Sequence, residues 1–277
     1  MNILVIHGSM RKGNTYSLVK EIMGRLSAKH DITINEISVA DLQLPFCRSC
    51  HLCLMKGEEY CPEYGVMRSI QQALLDCDGL IVSGVTYMWS LNAAMKNLLD
   101  HLAYGFHRPA LFGKKGMVVA TSTGTGEKSV AKYLKSVLGQ WGVNKAIIVT
   151  RTEKEQKLMS PAQLSKKLDR TVERFYRQLT DKQNLTPSIK SIAVHNAFRA
   201  MSLSAYSESE RDTLYWQQDE MNNVYPIRVG ALQYLVGATV FAASKHMTNL
   251  IDRFYLNRKT HTNPNDKEAE TANEDHG

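Results

Sequence analysis

The chain has 277 residues, of which 43% are hydrophobic and 22% are charged. These proportions are typical of a soluble globular protein, and they exclude a collagen-like, rod-like or wholly disordered chain. The length favours one domain with an appended segment over two complete domains. The net charge is +7, but no run of five Lys or Arg residues occurs, so the sequence does not indicate a nucleic-acid-binding protein.

The N-terminal segment and the cysteines predict the compartment. Residues 1–7 contain no Lys or Arg and too short an apolar run for a signal peptide, so we predict a cytoplasmic protein. There are five cysteines, an odd number, and four of them lie within residues 47–61. In a chain of this size such crowding indicates metal or redox chemistry rather than a disulfide framework.

Short apolar runs alternate with amphipathic segments over the first 180 residues. The predicted strands are residues 2–7, 32–37, 79–83, 116–121 and 143–150. The predicted helices are residues 15–29, 66–75, 92–102 and 127–141, and a fifth that starts at Ser160 and Pro161. This alternation predicts an α/β fold with a doubly wound, five-stranded parallel sheet. In such a sheet, ligands bind beyond the carboxyl ends of the strands, at the switch point.

Pro187 marks the predicted end of this domain. We assign residues 1–182 to the α/β domain, 188–257 to a helical C-terminal extension and 258–277 to a polar, disordered tail. Apolar residues between 229 and 254 recur about every 3.6 residues, which predicts one helix with one apolar face. Its apolar stretch is shorter than the roughly 20 residues that span a membrane. We therefore expect this helix to dock on the core or on a second subunit rather than to associate with a membrane.

The loop after the first strand, residues 8–15, reads Gly-Ser-Met-Arg-Lys-Gly-Asn-Thr. Its spacing is that of a Walker A loop, except that Asn14 stands where the lysine for a nucleoside triphosphate would be. Backbone N–H groups at a helix start still suit a phosphate, so a single terminal phosphate is favoured. The candidate ligands are Ser9, Arg11, Asn14 and Thr15. The alternative is an ordinary polar loop capped by Thr15.

Two later loops follow the third and fourth predicted strands. Residues 83–90 include Tyr87, Met88 and Trp89, which could form the wall of a site for a flat ring or belong to the core or an interface. Residues 121–126 are Thr, Ser and Gly, which allow backbone to approach a ligand closely but also suit any tight turn.

The three loops in this order resemble those of the flavodoxin-like, NADPH-dependent FMN reductases. The stretch from Tyr87 to Asp100 is similar to a motif of that family, which usually has proline where this chain has Val85. The resemblance covers about residues 1–180 and implies an enzyme that passes electrons from NAD(P)H through FMN to a small acceptor. It assigns the FMN phosphate to Ser9, Arg11, Asn14 and Thr15. It assigns one side of the flavin ring to Val85, Thr86, Tyr87, Met88 and Trp89, and the other side to Thr121, Ser122 and Gly124. It requires no acid–base side chain, and we nominate none.

The cysteine cluster has the spacing C-x2-C-x2-C-x7-C and consists of Cys47, Cys50, Cys53 and Cys61. It resembles the motif of the iron-sulfur flavoproteins, a branch of the same superfamily, which implies a [4Fe–4S] cluster on four thiolates. A zinc site, a thiol switch and a loop without metal stay open as alternatives. Cys77, at the end of a predicted helix, is expected to be a buried core thiol.

The leading hypothesis is therefore an FMN-dependent NAD(P)H oxidoreductase that reduces a small acceptor such as free flavin or a quinone. The alternative is an iron-sulfur flavoprotein that carries electrons to protein partners. A third hypothesis is a non-catalytic module whose working part is the helical extension. The resemblance also implies a homodimer, because relatives complete the flavin site with a second subunit.

Overall fold

A six-stranded sheet forms the centre of the protein in the computed structural model, which describes residues 1–143, 145–181, 187–204, 207, 209–221 and 223–261. The strands are β1 (Asn2–His7), β2 (Thr33–Ser38), β3 (Gly79–Tyr87), β4 (Ser90–Leu91), β5 (Lys115–Ser122) and β6 (Lys145–Thr152). Five of them are parallel in the order β2-β1-β3-β5-β6, and the short β4 pairs antiparallel with β3. The doubly wound parallel sheet is confirmed, with β4 as an additional strand.

The helices cover both faces of the sheet and continue into the C-terminal extension. They are α1 (Asn14–Lys29), α2 (Leu52–Met55), α3 (Tyr64–Asp76), α4 (Ala93–His101), α5 (Tyr104–His107), α6 (Glu127–Gln140), α7 (Glu153–Leu158), α8 (Pro161–Thr180), α9 (Ile189–Ser202), α10 (Glu210–Trp216) and α11 (Ala231–His261). The predicted start of α8 is confirmed by a capping box, in which Ser160 and Gln163 exchange side-chain to backbone hydrogen bonds.

Two apolar layers enclose the sheet because successive side chains of a strand point to opposite faces. Leu4 and Ile6 of β1 pack with α3, α4 and α6. Ile3 and Val5 pack with α1 and α8 on the other face. The chain crosses from β1 to β2 on one side and then returns to β3 on the other. The switch point therefore lies between β1 and β3, at the end where the loop of residues 8–15 begins.

Strand β3 continues to Tyr87, four residues beyond its predicted end at residue 83. Of the extra residues, Gly84 and Val85 pair with β5 in the parallel sheet. Thr86 and Tyr87 form a hairpin with Leu91 and Ser90. The sequence prediction ended the strand too early, because its parallel pairing with β5 continues to Val85 and its pairing with β4 continues to Tyr87.

Helix α11 packs against α9 through a close approach at Gly237. A Cβ atom there would lie 2.4 Å from Val224 Cγ1 and 2.9 Å from Asn196 Nδ2. By contrast, Leu232, Met247 and Leu250 of the predicted apolar face are exposed. In the part of the chain that the structure describes, no helix is long and apolar enough to cross a membrane.

The structure describes only part of the predicted domain boundary and of the predicted C-terminal tail. Residues 182–186, at the boundary, lie outside the described residues. Helix α11 continues to His261, so the first four residues of the predicted 258–277 tail are helical. The remainder of that tail lies outside the described residues, and the division into two domains stays a prediction.

Candidate functional site

The three loops predicted from the sequence meet in one cleft of about 260 Å³ at the carboxyl ends of β1, β3 and β5. Nine of the twelve predicted cofactor-binding residues line it: Ser9, Arg11, Asn14, Thr15, Val85, Thr86, Tyr87, Thr121 and Ser122. Met88, Trp89 and Gly124 are not part of this lining. The fold thus brings together residues that lie more than a hundred positions apart in the sequence.

The first loop has the features of a phosphate cradle. Gly13 is the N-cap of α1 and has no side chain to occupy the first-turn N–H groups, and the first turn carries no acidic residue. Ser9 stabilises the turn, since its hydroxyl donates to the Arg11 carbonyl oxygen at 2.6 Å and accepts from the Arg11 N–H at 3.3 Å. A Cβ on Gly13 would lie 3.5 Å from Arg11 Nε, so the Arg11 side chain lies over the loop. A phosphate fits this arrangement of uncapped donors and positive charge.

Thr15 and Thr121 connect the first loop to the third. Both are buried, and their hydroxyl oxygens are 2.7 Å apart. Since one hydroxyl donates to the other, the pair retains one O–H group that is not used in their mutual bond. Thr15 therefore positions the start of α1 against β5 while the pair keeps one proton to donate to a ligand.

Asn92 connects the first loop to the second, and sequence analysis did not identify it. Its amide donates to the Gly8 carbonyl oxygen at 2.7 Å, and its side-chain oxygen accepts from the Val85 N–H at 3.4 Å. The residue lies at the N-cap of α4, where asparagine is common for local reasons. Here its side chain does not cap the helix. The sequence pattern at Asn92 therefore indicated a helix cap, whereas its side chain binds the backbone of Gly8 and Val85 instead.

Met88 and Trp89 form the two-residue turn of the β3–β4 hairpin. Both have positive φ values, 46° and 61°, and their exposed fractions are 97% and 75%. Two such residues match the twist of a tight hairpin but are strained for residues with a side chain. Gly126, at φ 97°, lets the third loop approach this turn, since a Cβ there would lie 3.1 Å from Trp89 Cα.

An apolar cleft of about 620 Å³ adjoins the first one and shares Met10, Tyr87 and Asn92 with it. Its other walls include Leu42, Leu44, Phe46 and Leu91. Cofactor sites commonly combine an apolar wall with a few polar groups that fix the ligand's orientation. The polar cleft and the adjoining apolar cleft together suit a molecule with a phosphate at one end and a flat ring system at the other.

The cysteine loop lies beside this site and is held by α4. Asn97 accepts a hydrogen bond from the Cys47 N–H at 2.9 Å and donates to the Pro45 carbonyl oxygen at 2.9 Å. His101 is 3.0 Å from the same carbonyl oxygen through Nε2, and its Nδ1 is 3.7 Å from Cys61 Sγ. These contacts fix the backbone at the start of the cysteine cluster and place His101 beside the Cys61 sulfur.

The four clustered thiols are neighbours in space. Burial raises the pKa of Cys53, and the nearby Cys61, Cys47 and Cys50 raise it further, while Arg108 opposes the shift. Burial likewise raises the pKa of Cys61. Among the described residues, no three His, Cys, Asp or Glu side chains are arranged to hold a single metal ion. The thiols are therefore close together, and the described residues show no formed metal site.

Cys77 lies apart from this cluster. It is buried at the end of α3, as the sequence predicted, and burial raises its pKa. It is therefore a core thiol, and it can serve as a control in experiments on the reactivity and metal content of the other four cysteines.

A buried ion pair joins the cysteine loop to the C-terminal extension. Arg108, just after α5, pairs with Asp212 of α10, and both side chains are at most 5% exposed. The same guanidinium donates to the Cys53 carbonyl oxygen at 2.6 Å and to the Leu54 carbonyl oxygen at 3.2 Å. Burial would raise the pKa of Asp212, but its hydrogen bond with His107 and the charge of Arg108 hold it below the usual value.

Sequence analysis could not find this pair. Arg108 and Asp212 are 104 residues apart, and each lies in a segment whose pattern shows only an ordinary polar residue. Nothing in spacing or periodicity connects the two, since the contact depends on how the extension folds back on the α/β domain.

A phosphate cradle at a sheet switch point, with an apolar cleft beside it, defines a flavodoxin-like α/β protein that binds a flavin nucleotide. The chain belongs to the NADPH-dependent FMN reductase family, whose model matches residues 1–153. It is thus a flavin-dependent oxidoreductase that uses FMN and NADPH. The resemblance inferred from the three loops is confirmed.

Individual relatives agree with this assignment. The chain is similar to an iron-sulfur flavoprotein of Archaeoglobus fulgidus, 28% identical over 194 residues, covering 67% of this chain and 86% of the relative. It is also similar to an iron-sulfur flavoprotein of Methanocaldococcus jannaschii, 31% identical over 134 residues, covering 47% and 68% respectively. The apo crystal structure of an NADH:FMN oxidoreductase has the same fold, with a TM-score of 0.51 and 23% identity, covering 66% of this chain and 92% of that one.

Proposed function

We propose that the protein oxidises NADPH with FMN held in the cleft between the three loops and passes the electrons to a small acceptor, such as free flavin or a quinone. The observation that carries this proposal is the convergence of the phosphate cradle, the β3–β4 hairpin and the third loop on one cleft. When bound, FMN accepts a hydride from the nicotinamide and releases electrons one or two at a time.

The chain's own residues would bind FMN and orient its ring. Uncapped N–H groups of α1, with Ser9 and Arg11, would hold the phosphate. Thr15 and Asn92 hold the first loop in register with the other two. Tyr87, at the junction of the polar and apolar clefts, would border the ring. Since the cofactor carries the hydride chemistry, the protein needs no acid–base residue in the cleft.

Removing the Arg11 side chain should weaken FMN binding selectively. A hydrogen bond to a charged group contributes about 1.5–3 kcal/mol, so we expect Arg11→Ala to raise the FMN dissociation constant about 10–100-fold. Riboflavin, which has no phosphate, should bind the variant and the parent equally. Equilibrium titration by flavin fluorescence measures both constants.

Lys12→Ala provides the matched control. Lys12 is the adjacent cation, but it lies over the Tyr16 ring and does not line the cleft. We expect it to change FMN affinity less than threefold, a limit of about 0.6 kcal/mol. If both variants lost FMN affinity equally, the effect of Arg11→Ala would come from the loss of one positive charge and not from a specific contact with the phosphate. A purified protein that neither retains FMN nor oxidises NADPH in its presence would refute the proposal itself.

A second candidate function is that of an iron-sulfur flavoprotein that carries electrons to protein partners. The proximity of the thiols of Cys47, Cys50, Cys53 and Cys61, together with their C-x2-C-x2-C-x7-C spacing, supports it. A single zinc ion requires four sulfurs around one point, at about 2.3 Å. A [4Fe–4S] cluster also takes four thiolates, each bound to a different iron. The names of the two archaeal relatives support the same reading.

Metal analysis of anaerobically purified protein separates the alternatives. We expect iron and acid-labile sulfide in equal amounts, and we expect Cys53→Ala to lose most of both. Cys77→Ala is the matched control, because Cys77 is outside the cluster, and it should retain them. Zinc without sulfide would establish the zinc alternative. Protein with neither metal would leave a thiol switch or a plain loop and would refute the cluster.

A homodimer and a cytoplasmic location complete the proposal. Exposed apolar side chains surround the clefts, which supports a second subunit on this face; they are Met10, Phe46, Tyr87, Met88 and Trp89. The five cysteines are free thiols, which supports a reducing compartment.

A further inference from the structure

Helix α11 packs on α9 with one side, where Gly237 and Asp252 are buried. The residues of its opposite side, the outer face, are exposed: Leu232, Leu235, Thr239, Ala243, Met247 and Leu250. A contiguous row of exposed apolar side chains marks an interaction surface. Among the described residues of α11, none lines either cleft of the flavin site. The outer face is therefore an apolar surface that the proposed flavin chemistry does not use.

The chemistry of the outer face matches a protein surface better than a membrane. Helices that lie on membranes carry Lys and Arg on the side away from the lipid. That side of α11 is packed against α9, and no charged residue occurs between positions 229 and 244. The hydroxyl of Thr239 donates to the Leu235 carbonyl oxygen at 2.8 Å, so it can be covered without losing its hydrogen bond. The complement of this face is another apolar protein surface without charges.

The spacing of the outer face is symmetric about residue 241. Leu232 and Leu250 lie nine positions on either side of it, and Thr239 and Ala243 lie two positions on either side. Residues about 18 positions apart complete about five helical turns, so the two leucines point in the same direction. Two antiparallel copies of α11 that cross at residue 241 would therefore place Leu232 of each copy against Leu250 of the other. A twofold interface requires such reciprocal contacts, because both subunits use the same surface.

Side-chain size and helix polarity favour the same arrangement. Thr239, Ala242 and Ala243 lie around the crossing point, and small side chains allow two helix axes to approach closely. In an antiparallel pair, the positive end of one helix dipole lies beside the negative end of the other. Burying two outer faces removes on the order of 1,000 Å² of surface in total, which is about the lower limit for a specific interface.

We propose that a second copy of the chain covers the outer face, with the two α11 helices antiparallel and crossing at residue 241. The reciprocal contacts of Leu232 with Leu250 form the two ends of this interface, and the small residues form its centre. The interface is separate from the exposed apolar side chains around the flavin clefts. It therefore doubles the number of chains in any assembly that forms through the flavin face.

Charge substitutions at the two leucines test both the contact and its direction. Leu232→Arg and Leu250→Glu each place an unpaired charge against a leucine of the second copy, so each should raise the dissociation constant of this contact at least about 100-fold. The double variant places arginine against glutamate twice, and it should associate within about tenfold of the parent. Sedimentation velocity on the full-length protein with added FMN measures the assembly. The assembly of the parent should contain twice as many chains as that of either single variant.

Leu158→Glu is the matched control, because Leu158 is an exposed leucine of α7 and not part of the outer face. It should leave the assembly of the parent unchanged. All of these variants should keep the FMN content and the rate of NADPH oxidation of the parent, since none of the substituted residues lines the flavin clefts. A parent protein that neither binds FMN nor oxidises NADPH would refute the proposed function, and the assembly test would still decide the interface.

Three results would overturn the proposed interface. The first is the same assembly for the parent and both single variants. The second is a double variant that stays as dissociated as the single variants, which would indicate a parallel pair in which like charges meet. The third is binding of the parent to phosphatidylglycerol vesicles that Leu250→Glu abolishes, which would show that a membrane covers the outer face.

Discussion

Replacing Gly8 with alanine is expected to abolish tight FMN binding. Gly8 follows β1 directly, and a Cβ atom there would lie 2.1 Å from the Ser83 carbonyl oxygen and 3.1 Å from Met95 Cγ. The first of these neighbours is backbone in the middle of the sheet, so it cannot rotate away. The ends of β1 and β3 would have to separate, and the phosphate loop would move away from the β3–β4 hairpin.

The expected rise in the FMN dissociation constant follows from the hydrogen bonds that this movement would break. The Gly8 N–H donates to Ser83 Oγ at 3.1 Å, and Asn92 donates to the Gly8 carbonyl oxygen at 2.7 Å. Misplacing the loop should also remove at least two charge-assisted bonds to the phosphate, which raises the FMN dissociation constant on the order of 100-fold. Overpacking should lower the free energy of unfolding by about 3 kcal/mol.

Gly24→Ala is the control for Gly8→Ala. Gly24 lies in α1, on the helix that the loop leads into, and no atom lies within 4 Å of an added Cβ. This variant should bind FMN like the parent and be more stable by up to about 1 kcal/mol, because alanine favours the helix. Thermal unfolding and FMN titration of the two variants check both effects. Unchanged FMN affinity in Gly8→Ala would contradict this account of the loop.

The α/β domain could be predicted from the sequence because each of its elements carries a local signal. A buried strand, a glycine-containing loop and an amphipathic helix follow one another in residues 2–29, and the structure forms them within one residue of the predicted bounds. Parallel topology then places the loops together at one edge without any knowledge of side-chain contacts.

What the sequence could not predict depends on contacts between distant segments. Periodicity in α11 identified an apolar face, but that face is largely exposed at Leu232, Met247 and Leu250. The helix packs instead through Gly237, where the lack of a side chain permits close approach to Val224 and Asn196. A hydrophobic stripe reports the preference of one helix alone, whereas the packing is decided by the shapes of both partners.

The ion pair of Arg108 and Asp212 is the clearest case of such a distant contact. Breaking it should strongly lower the free energy of unfolding. Removing one partner of a buried pair leaves an uncompensated charge, so Asp212→Ala should lower the free energy of unfolding by about 3–5 kcal/mol. Asp212→Asn keeps the shape but loses the charge, and its loss should be smaller. Asp219→Ala is the control, since Asp219 is exposed just beyond α10, and its effect should stay within about 0.5 kcal/mol.

The cysteine loop should report the loss of Asp212 specifically. Arg108 holds the Cys53 carbonyl oxygen, so in the metal-free protein Asp212→Ala should speed alkylation of Cys53, while buried Cys77 keeps its rate. Since the pKa of Asp212 is lowered in the folded state, its contribution to stability is present above the usual carboxyl range, about pH 4, and is lost as the pH falls through the folded value. The difference in unfolding free energy between parent and variant should therefore persist at neutral pH and disappear only in strong acid, which denaturant unfolding across pH measures. If Cys53 and Cys77 accelerate together at neutral pH, the pair stabilises the whole fold and not the cysteine loop in particular.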